Sequence, residues 1–268
     1  MRDKKTCLVT GASAGIGAAI AKEYAQRGWD LALTARREEP MVELAENLKS
    51  DYGTTSHIFT ADLFDRDATI DLVHRIQAKN IRIDGLVNNA GYGHPGSYLD
   101  SVWDDHENFL QLMLRAPCEL AYAVLPSMKE NGYGRIINVA SLAGHVPAAK
   151  GHTLYAGVKS FLIKFSQSLN MEMQNTGVHV SALCPGFTYS EFHDVNGTRE
   201  TVSKMPDYMW MDADEVAEQG VEMCEKNRAV FIPGRVNRGV AMAARLLPTS
   251  IAMRLMSSQS DKFRKSNV

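Results

Sequence analysis

The sequence predicts an α/β protein, a three-layer α/β/α arrangement around a doubly wound parallel sheet. Short apolar runs of strand length alternate with longer segments of helical periodicity, and the first four runs cover 6–10, 30–34, 56–60 and 84–87. The first run leads directly into a glycine-rich turn, as expected where a parallel strand passes into a helix. Because no internal repeat, low-complexity tract or linker interrupts the sequence, we expect one domain over residues 1–268.

The rest of the chain continues this alternation. Further strands are predicted in the apolar runs at 135–139, 178–184 and 229–232. Helical patterns follow the first strand as far as Arg27 and then cover 41–50, 67–79, 101–130, 155–174 and 212–226. In such a sheet, ligands bind at the carboxyl ends of the strands, so the residues that follow each strand are the candidates for a site.

Composition excludes several classes of protein. Hydrophobic residues make up 45% of the chain, which argues against disorder, and the formal charge of −2 gives no basic footprint for nucleic acid. The four cysteines form no CxxC pair, and the histidines lack metal-ligand spacing, so no metal site is predicted. No apolar run reaches the roughly 18 residues of a spanning helix. We therefore expect a cytoplasmic protein without an integral membrane segment.

The glycine-rich turn is the first candidate binding element. It reads TGASAGIG from Thr10 to Gly17, between a predicted strand and a predicted helix. Gly11 would permit the tight turn, while Gly15 and Gly17 would let a pyrophosphate and the strand approach the backbone. The helix N-terminus would then face the phosphates. This context indicates a dinucleotide site, and the alternative is an ordinary turn between strand and helix.

The residues at the end of the second strand indicate which dinucleotide binds, NAD(H) or NADP(H). An acidic side chain there accepts a hydrogen bond from the ribose 2′-OH of NAD(H), whereas an arginine accommodates the 2′-phosphate of NADP(H). No acid is present at 34–36, and Arg36 and Arg37 follow the strand. The sequence therefore favours NADP(H), unless both arginines are solvated residues at the start of a helix.

Two more strand ends carry candidate ligand contacts. Asp62 and Leu63 follow the third strand, where an acid could bond the adenine amine. The fourth strand ends in Asn88-Asn89-Ala90-Gly91, whose small residues would let the backbone lie close to a flat ligand. The Asn89 amide is of the type that fixes a strand end by side-chain hydrogen bonds.

The predicted chemistry depends on Ser141, Tyr155 and Lys159. Tyr155 and Lys159 are four residues apart and share one face if their segment is helical. An ammonium beside a phenol favours the ionised form, so we expect the pKa of Tyr155 to fall toward neutrality and the phenol to exchange protons. Ser141 follows the apolar run 135–139, where its hydroxyl could donate to a substrate oxygen. The alternative is an ordinary amphipathic helix.

In this order and combination, the motifs over residues 5–190 resemble the short-chain dehydrogenase/reductase family. The resemblance implies a Rossmann-like fold and an NAD(P)(H)-dependent oxidoreductase that acts on a carbonyl/alcohol pair. It implies that Tyr155 is the general acid/base, that Lys159 binds the nicotinamide ribose, and that Ser141 bonds the substrate oxygen. A homodimer or homotetramer is implied as well. The residues expected to bind the cofactor are Gly11, Ser13, Gly15, Ile16, Gly17, Arg36, Arg37, Asp62, Leu63, Asn89, Ala90, Gly91, Tyr155, Lys159, Pro185, Gly186 and Thr188.

The sequence departs from the family at Met113. The family usually has an asparagine at this position, which supports a water relay to the lysine, and Met113 has no comparable group. Pro117 offers a substitute, because it lacks an N–H and would leave the carbonyl of Met113, four residues earlier, without its helical partner. We hypothesise that this carbonyl holds the relay water.

The C-terminal third is less regular. Residues 187–212 are expected to form a substrate loop, since Phe187, Phe192, Met209 and Trp210 suit an apolar ligand, although packing on the core or at a subunit contact is the alternative. The extension 235–268 begins apolar and basic. It is expected to be a surface helix that completes the fold, the alternatives being a pocket cover, an oligomer contact or a membrane-surface helix.

Two functions remain open. The first is an NADP(H)-dependent reductase of a ketone or aldehyde, with a lipophilic substrate such as a 3-oxoacyl chain or a hydroxysteroid. The second is a dinucleotide-binding regulatory protein that retains the fold without turnover. Met113 favours the second function, whereas the presence of Ser141, Tyr155 and Lys159 favours the first.

Overall fold

The computed structural model describes residues 4–93, 96–148, 150–151, 153–190, 205–248, 251 and 253. Its strands are β1 (Thr6–Thr10), β2 (Asp30–Ala35), β3 (Ser56–Thr60), β4 (Gly85–Asn88), β5 (Gly134–Val139), β6 (Val178–Leu183), β7 (Phe187–Tyr189), β8 (Trp210–Asp212) and β9 (Val230–Phe231). Its α-helices are α1 (Gly15–Gln26), α2 (Glu39–Tyr52), α3 (Ala68–Ala78), α4 (Trp103–Leu110), α5 (Ala116–Glu130), α6 (Thr153–Glu172), α7 (Ala213–Glu225) and α8 (Arg235–Leu246).

Seven strands form one parallel sheet in the order β3-β2-β1-β4-β5-β6-β9. The order reverses between β1 and β4, whose pairing places Val9 opposite Val87. This reversal is the switch point at which doubly wound sheets bind ligands, because the loops after the two strands diverge there and leave a crevice.

Helices cover both faces of the sheet. On one face, Tyr24 of α1, Met41 of α2 and Val216 of α7 pack on the strands in one buried cluster. On the other face, Leu72 of α3 and Leu120 of α5 belong to a second buried cluster with the strands. This arrangement confirms the predicted α/β class, the three layers and the Rossmann-like doubly wound sheet.

The helix predicted over 101–130 is divided in the structure. It consists of α4, a π-helical turn over Gln111–Arg115 and α5. Pro117 lies in the first turn of α5, where its missing N–H cannot complete a regular hydrogen bond to the carbonyl four residues earlier. The widened turn before it is the usual local solution to an interrupted helical ladder.

The sequence suggested an irregular loop over residues 187–212, but the two ends of this segment are regular. These ends pair as the parallel strands β7 and β8, with Phe187 opposite Trp210. The Trp210 ring lies 5.4 Å from that of Phe187 and stacks at 4.8 Å on Tyr189, measured between centroids. The middle of the expected substrate loop, including Phe192, lies outside the described residues, as do residues 254–268 of the expected extension.

The described helices contain no segment that is both long and apolar enough to cross a bilayer.

Candidate active site

The glycine-rich turn lies at the switch point and is closely packed. Gly11 and Gly15 adopt left-handed backbone angles, with φ of +65° and +57°. A Cβ added to Gly17 would lie 2.3 Å from the carbonyl oxygen of Gly11, and one added to Gly11 would lie 2.8 Å from Cα of Ala90. Glycine is therefore required here by backbone conformation and by the close approach of the residues that follow β4.

Hydrogen bonds join the ends of β1 and β4 beneath this turn. The Asn89 amide donates to the carbonyls of Thr10 and Gly11, at 3.0 and 3.2 Å. The Thr10 hydroxyl accepts from the backbone N–H groups of Asn89 and Ala90, at 2.9 and 3.0 Å. Sequence reasoning identified the Asn89 amide but missed Thr10, although this residue opens the glycine motif. The position of the crevice is thus fixed by two polar side chains.

The N-terminus of α1 is open toward the crevice. Ala14 occupies the N-cap and has no side-chain acceptor, and the first turn contains no acidic residue. The first N–H groups of this helix are therefore available to an anion such as a phosphate. The end of β7 lies over the same turn, because a Cβ on Gly15 would come within 2.9 Å of Cβ of Ser190.

The two predicted arginines lie beside this turn. Arg37 donates a hydrogen bond of 3.3 Å to the hydroxyl of Ser13, which connects the end of β2 with the glycine-rich turn. The guanidinium of Arg36 lies over the ring of Phe64, 5.2 Å from its centroid. Two cationic groups are thereby placed at the edge of the crevice, although Arg36 and Arg37 are themselves exposed.

Asp62 and Leu63 follow β3 at the same edge. One carboxylate oxygen of Asp62 accepts from the backbone N–H of Phe64 at 3.1 Å. The Leu63 side chain is 5% exposed and belongs to the core cluster that contains Leu72. Only the backbone of Leu63 is thus free to contact a ligand, and its predicted role can involve no side chain.

The structure brings Ser141, Tyr155 and Lys159 together at the carboxyl end of β5. Tyr155 and Lys159 share one face of α6, and the ammonium lies 5.6 Å from the centroid of the phenol ring. The Ser141 hydroxyl lies near enough to the Tyr155 phenol to favour its ionised form. The Ser141 hydroxyl also accepts from the N–H of Ala143 at 3.1 Å, which fixes its direction.

The pKa of Tyr155 differs from the sequence-based prediction. Burial raises its pKa to about 12, and the Ser141 hydroxyl opposes this only in part. Lys159 is not among the groups that shift it, because the ammonium is directed to the carbonyl of Val139 and lies beside the ring. The prediction of a pKa near neutrality is therefore wrong for the protein without a ligand, and the phenol is protonated at pH 7.

Lys159 is itself perturbed by burial. The side chain is 6% exposed, and the loss of hydration lowers its pKa to about 8. Cys184 lies nearby, with its own pKa raised to about 12 by burial, and His145 contacts its sulfur at 3.4 Å. Cys184 and His145 thus lie behind Lys159, and sequence reasoning did not anticipate the position of Cys184.

The segment after β6 closes the other side of the site. The carbonyl of Pro185 accepts from the N–H of Leu142 at 2.8 Å, which holds the segment against the residue after Ser141. Thr188 is buried and its hydroxyl donates to the carbonyl of Gly186 at 3.3 Å. The backbone of Pro185 thus lies beside the residue after Ser141, and Gly186 and Thr188 follow it toward β7.

A pocket opens beside the Tyr155 hydroxyl. It is lined by residues 96–98, His106 and residues 153–155. The rings of Tyr98 and His106 stack at 4.6 Å between centroids, and Trp103 contacts the edge of His106. The pocket next to Tyr155 therefore combines the aromatic and apolar side chains of Tyr98 and Leu154 with the polar side chains of Ser97 and Thr153.

Comparison with known proteins identifies the family. A family model for short chain dehydrogenases matches residues 5–200. The chain belongs to the short-chain dehydrogenase family. A short chain dehydrogenase of Pseudocercospora fijiensis is 36% identical over 208 residues, which cover 75% of this chain and 65% of that relative.

Two solved structures resemble this short-chain dehydrogenase over nearly its whole length. One is a short-chain dehydrogenase from Sphingobium yanoikuyae in complex with NADPH, with a TM-score of 0.80 at 31% identity, covering 90% of this chain and 93% of that one. The other is a bulky-bulky ketone specific alcohol dehydrogenase from Comamonas testosteroni, with a TM-score of 0.75 at 28% identity, covering 92% and 96%.

This short-chain dehydrogenase has an apolar contact where the family usually has an asparagine. The Met113 side chain is buried with Phe109 and Val158 in a cluster that touches Tyr155. Its sulfur lies over Gly91, where an added Cβ would come within 2.6 Å. Met113 itself lies in the π-helical turn. The proposal of a water held by its carbonyl remains a prediction.

A buried chain of polar side chains supports the short-chain dehydrogenase site from below. The Asn88 amide donates to the side-chain oxygen of Asn138 at 2.9 Å and to the carbonyl of Pro117 at 3.2 Å. Asn138 donates in turn to the hydroxyl of Ser166 on α6, at 2.8 Å. Sequence reasoning missed this chain, although Asn88 and Asn138 are direct partners across β4 and β5.

Proposed function

We propose that this short-chain dehydrogenase is an NADP(H)-dependent carbonyl reductase that transfers hydride between nicotinamide and a ketone or secondary alcohol. The proposal depends on one observation above all. The hydroxyl side chains of Ser141 and Tyr155 lie together beside a buried lysine at the carboxyl edge of the sheet, and Tyr155 borders a small pocket. This arrangement suits the stabilisation and protonation of a carbonyl oxygen.

The residues at the switch point fit a dinucleotide. The close packing around Gly11 and Gly17 leaves the backbone accessible to a pyrophosphate, and the open N-terminus of α1 suits its charge. Asp62 and the segment Asn89 to Gly91 would contact the adenosine half, with Ser13 and Ile16 at the phosphates. Pro185, Gly186 and Thr188 would hold the nicotinamide.

The two arginines support NADP(H) over NAD(H). A 2′-phosphate carries two negative charges that a guanidinium can bind through paired hydrogen bonds. Arg37 already contacts Ser13 of the glycine-rich turn, and Arg36 lies over Phe64. The similar protein from Sphingobium yanoikuyae was solved with NADPH, which supports the same choice here.

The chain's own residues would manage charge and protons during reduction. The bound nicotinamide supplies the hydride. Ser141 and Tyr155 donate hydrogen bonds to the substrate oxygen, where negative charge develops. Since the pKa of Tyr155 is raised to about 12, its phenol is protonated at neutral pH and can give its proton to that oxygen. Lys159, with a pKa of about 8, remains mostly charged at pH 7 and would hold the nicotinamide ribose.

An apolar ketone is the substrate class that the pocket supports best. Tyr98, His106 and Leu154 supply aromatic and apolar walls next to Tyr155, and the stacked Trp210 and Tyr189 lie where the expected substrate loop begins and ends. Such surfaces gain free energy from apolar groups on both sides of a carbonyl. The similar enzyme from Comamonas testosteroni is specific for bulky-bulky ketones, which supports this class.

Self-association and location are further parts of the proposal. Tyr122 on α5 is 82% exposed and Met171 on α6 is 61% exposed, which supports a homodimer or homotetramer formed through these helices. The four cysteines are free, as expected in a reducing compartment such as the cytoplasm.

NADPH consumption with a panel of ketones and aldehydes tests the function. We expect turnover of apolar ketones and a loss of about 100-fold or more in kcat for Tyr155→Phe, with NADPH affinity retained. Tyr52→Phe is the matched control, because it removes a hydroxyl from an exposed tyrosine at the end of α2 that has no proposed role, and it should leave kcat unchanged. A Tyr155→Phe enzyme with most of its activity would refute the assignment. Tight NADPH binding without turnover by the wild type would favour the regulatory protein instead.

A further inference from the structure

Helix α8 presents its large apolar side chains to solvent. Met242 and Leu246 are 64% and 77% exposed, and Val236 and Val240 are exposed beside them. With 100° between successive residues, these four side chains share one broad face together with Gly239 and Ala243. A helix that only covered a core would have the opposite orientation.

The face of α8 that contacts the protein is small and polar. Asn237 and Ala241 are its buried residues. The Asn237 amide donates to the carbonyl of Pro233 at 2.9 Å and reaches the sulfur of Met211 at 3.7 Å. The attachment of α8 therefore makes little use of its apolar residues, which remain available for another surface.

The charge of α8 is entirely positive. At 100° per residue, Arg235 projects between Met242 and Leu246 at the N-terminal end of the apolar face, and Arg238 and Arg245 flank that face next to Met242. Among the described residues, these three arginines form no ion pair with a carboxylate, and Arg238 donates to the carbonyl of Ile232. Residues 235–268 contain seven lysines and arginines and one aspartate, so they carry +6, whereas residues 1–234 carry −8 of the total of −2.

We infer that α8 docks on the surface of a bilayer that contains anionic lipids. An apolar helical face with arginines along one edge and at its N-terminal end, and with no acids, matches the boundary between acyl chains and anionic headgroups. The segregation of charge along the sequence favours this partner over a second copy of the chain. A twofold contact between two α8 helices would place arginines against arginines, with no acidic residue on the helix to pair with them.

The position of α8 near the expected substrate loop also supports docking on a membrane. The helix contacts the turn Asp207–Met209, where the expected substrate loop returns to the sheet. Tyr208 in that turn is 69% exposed and enlarges the apolar surface next to α8. Helix α8 therefore lies next to the turn that leads into β8. The inference concerns membrane binding and does not depend on the reaction proposed above.

Sedimentation of the full-length protein with lipid vesicles tests this inference. We expect binding to phosphatidylcholine vesicles that contain about 30% phosphatidylserine, weak binding to phosphatidylcholine alone, and release by salt. The variant Val240→Glu/Leu246→Glu should bind more than about tenfold more weakly. Each of Arg238→Gln and Arg245→Gln should weaken binding about fivefold. All these variants should keep the wild-type turnover of a water-soluble carbonyl compound, or the wild-type NADPH affinity if no turnover is found.

A matched control and a second measurement separate the alternatives. Ile70 on α3 is 51% exposed, and Ile70→Glu should leave vesicle binding unchanged. Wild-type protein that fails to bind anionic vesicles would overturn the inference, as would a Val240→Glu/Leu246→Glu variant that binds as well as the wild type. If the wild type does not bind vesicles and light scattering gives a lower mass for the double variant than for the wild type, a second copy of the chain covers the apolar face of α8.

Discussion

The ammonium of Lys159 donates a hydrogen bond of 2.7 Å to the carbonyl oxygen of Val139, the last residue of β5. The contact ties α6 to the carboxyl end of the central sheet. It also holds a cationic group in a buried position, where the loss of hydration disfavours the charged form. The pKa of Lys159 is therefore lowered to about 8.

This burial predicts a specific dependence of stability on pH. The lysine has a pKa of about 8 in the folded protein and an ordinary value of 10.5, so between these values the unfolded chain binds more protons. The free energy of unfolding should then rise with pH over that range. The destabilising contribution of Lys159 should be largest below pH 8. Relative to Lys159→Met, the wild type should gain on the order of 3 kcal/mol over that range.

Urea unfolding of wild type and Lys159→Met across this pH range measures the effect, because other titrating groups cancel in the difference. Lys164→Met is the matched control, since Lys164 is an exposed lysine on the same helix. Its difference from the wild type should not change with pH. A pH-independent difference for Lys159→Met would contradict the lowered pKa.

The arginines at the end of β2 should determine the choice of cofactor. Arg36→Ala and Arg37→Ala should each weaken NADPH binding by about 10- to 100-fold, because a hydrogen bond between charged groups is lost. NADH binding should change little, since NADH has no 2′-phosphate. Fluorescence titration with both cofactors measures the two affinities. Lys49→Ala on α2, which removes an exposed cation further along the helix, is the control, and equal losses for NADPH and NADH would argue against the proposed role.

Met113→Asn tests the departure from the family pattern. The asparagine would replace a buried thioether that packs over Gly91, so the free energy of unfolding should fall by about 2–4 kcal/mol. If the carbonyl of Met113 holds the relay water to Lys159, the kcat of Met113→Asn should stay within about threefold of the wild-type value. This is a change of less than 1 kcal/mol in the activation barrier.

The control for this substitution is Met113→Leu, which nearly preserves volume and should cost less than about 1.5 kcal/mol of stability. Steady-state kinetics and urea unfolding of both variants are the measurements. A large increase in kcat for Met113→Asn would show that a side-chain amide is needed and that the carbonyl does not replace it.

Asn138 should be important for stability although it touches no proposed ligand. Its side chain connects Asn88 on β4 with Ser166 on α6 and is fully buried. Asn138→Ala would leave buried polar atoms with fewer partners and open a small cavity, so we expect a loss of about 2–4 kcal/mol. Asn131→Ala at the exposed end of α5 should cost less than about 1 kcal/mol in the same unfolding assay. Similar losses for the two variants would show that the buried chain contributes little.

Much of the fold follows from local patterns. The apolar run of β1 lies at the boundaries expected from the sequence, because a fully buried parallel strand needs continuous apolar side chains. The partly buried edge strand β3 also has the expected boundaries. The meeting of Ser141, Tyr155 and Lys159 was predictable for a similar reason. Helical spacing places the last two on one face, and a parallel sheet brings the ends of its strands to one edge.

Other features depend on contacts that no local pattern reports. The three-residue strands β7 and β8 exist because they pair across 20 intervening residues, and each is too short to be recognised alone. The direction of the Lys159 ammonium is set by its hydrogen bond to the carbonyl of Val139, and the raised pKa of Tyr155 is set by burial in the folded protein. The π-helical turn around Met113 reflects how α4 and α5 pack as well as the missing N–H of Pro117.

The contact between Gly186 and Asn237 couples two distant parts of the sequence. A Cβ on Gly186 would come within 2.4 Å of the side-chain oxygen of Asn237, so the backbone next to the proposed nicotinamide site rests directly on α8. Any tag, fusion partner or immobilising surface that pulls on the C-terminal helix therefore exerts force on the proposed catalytic centre. Immobilisation through the opposite end of the chain is the safer choice for a biosensor or a flow reactor.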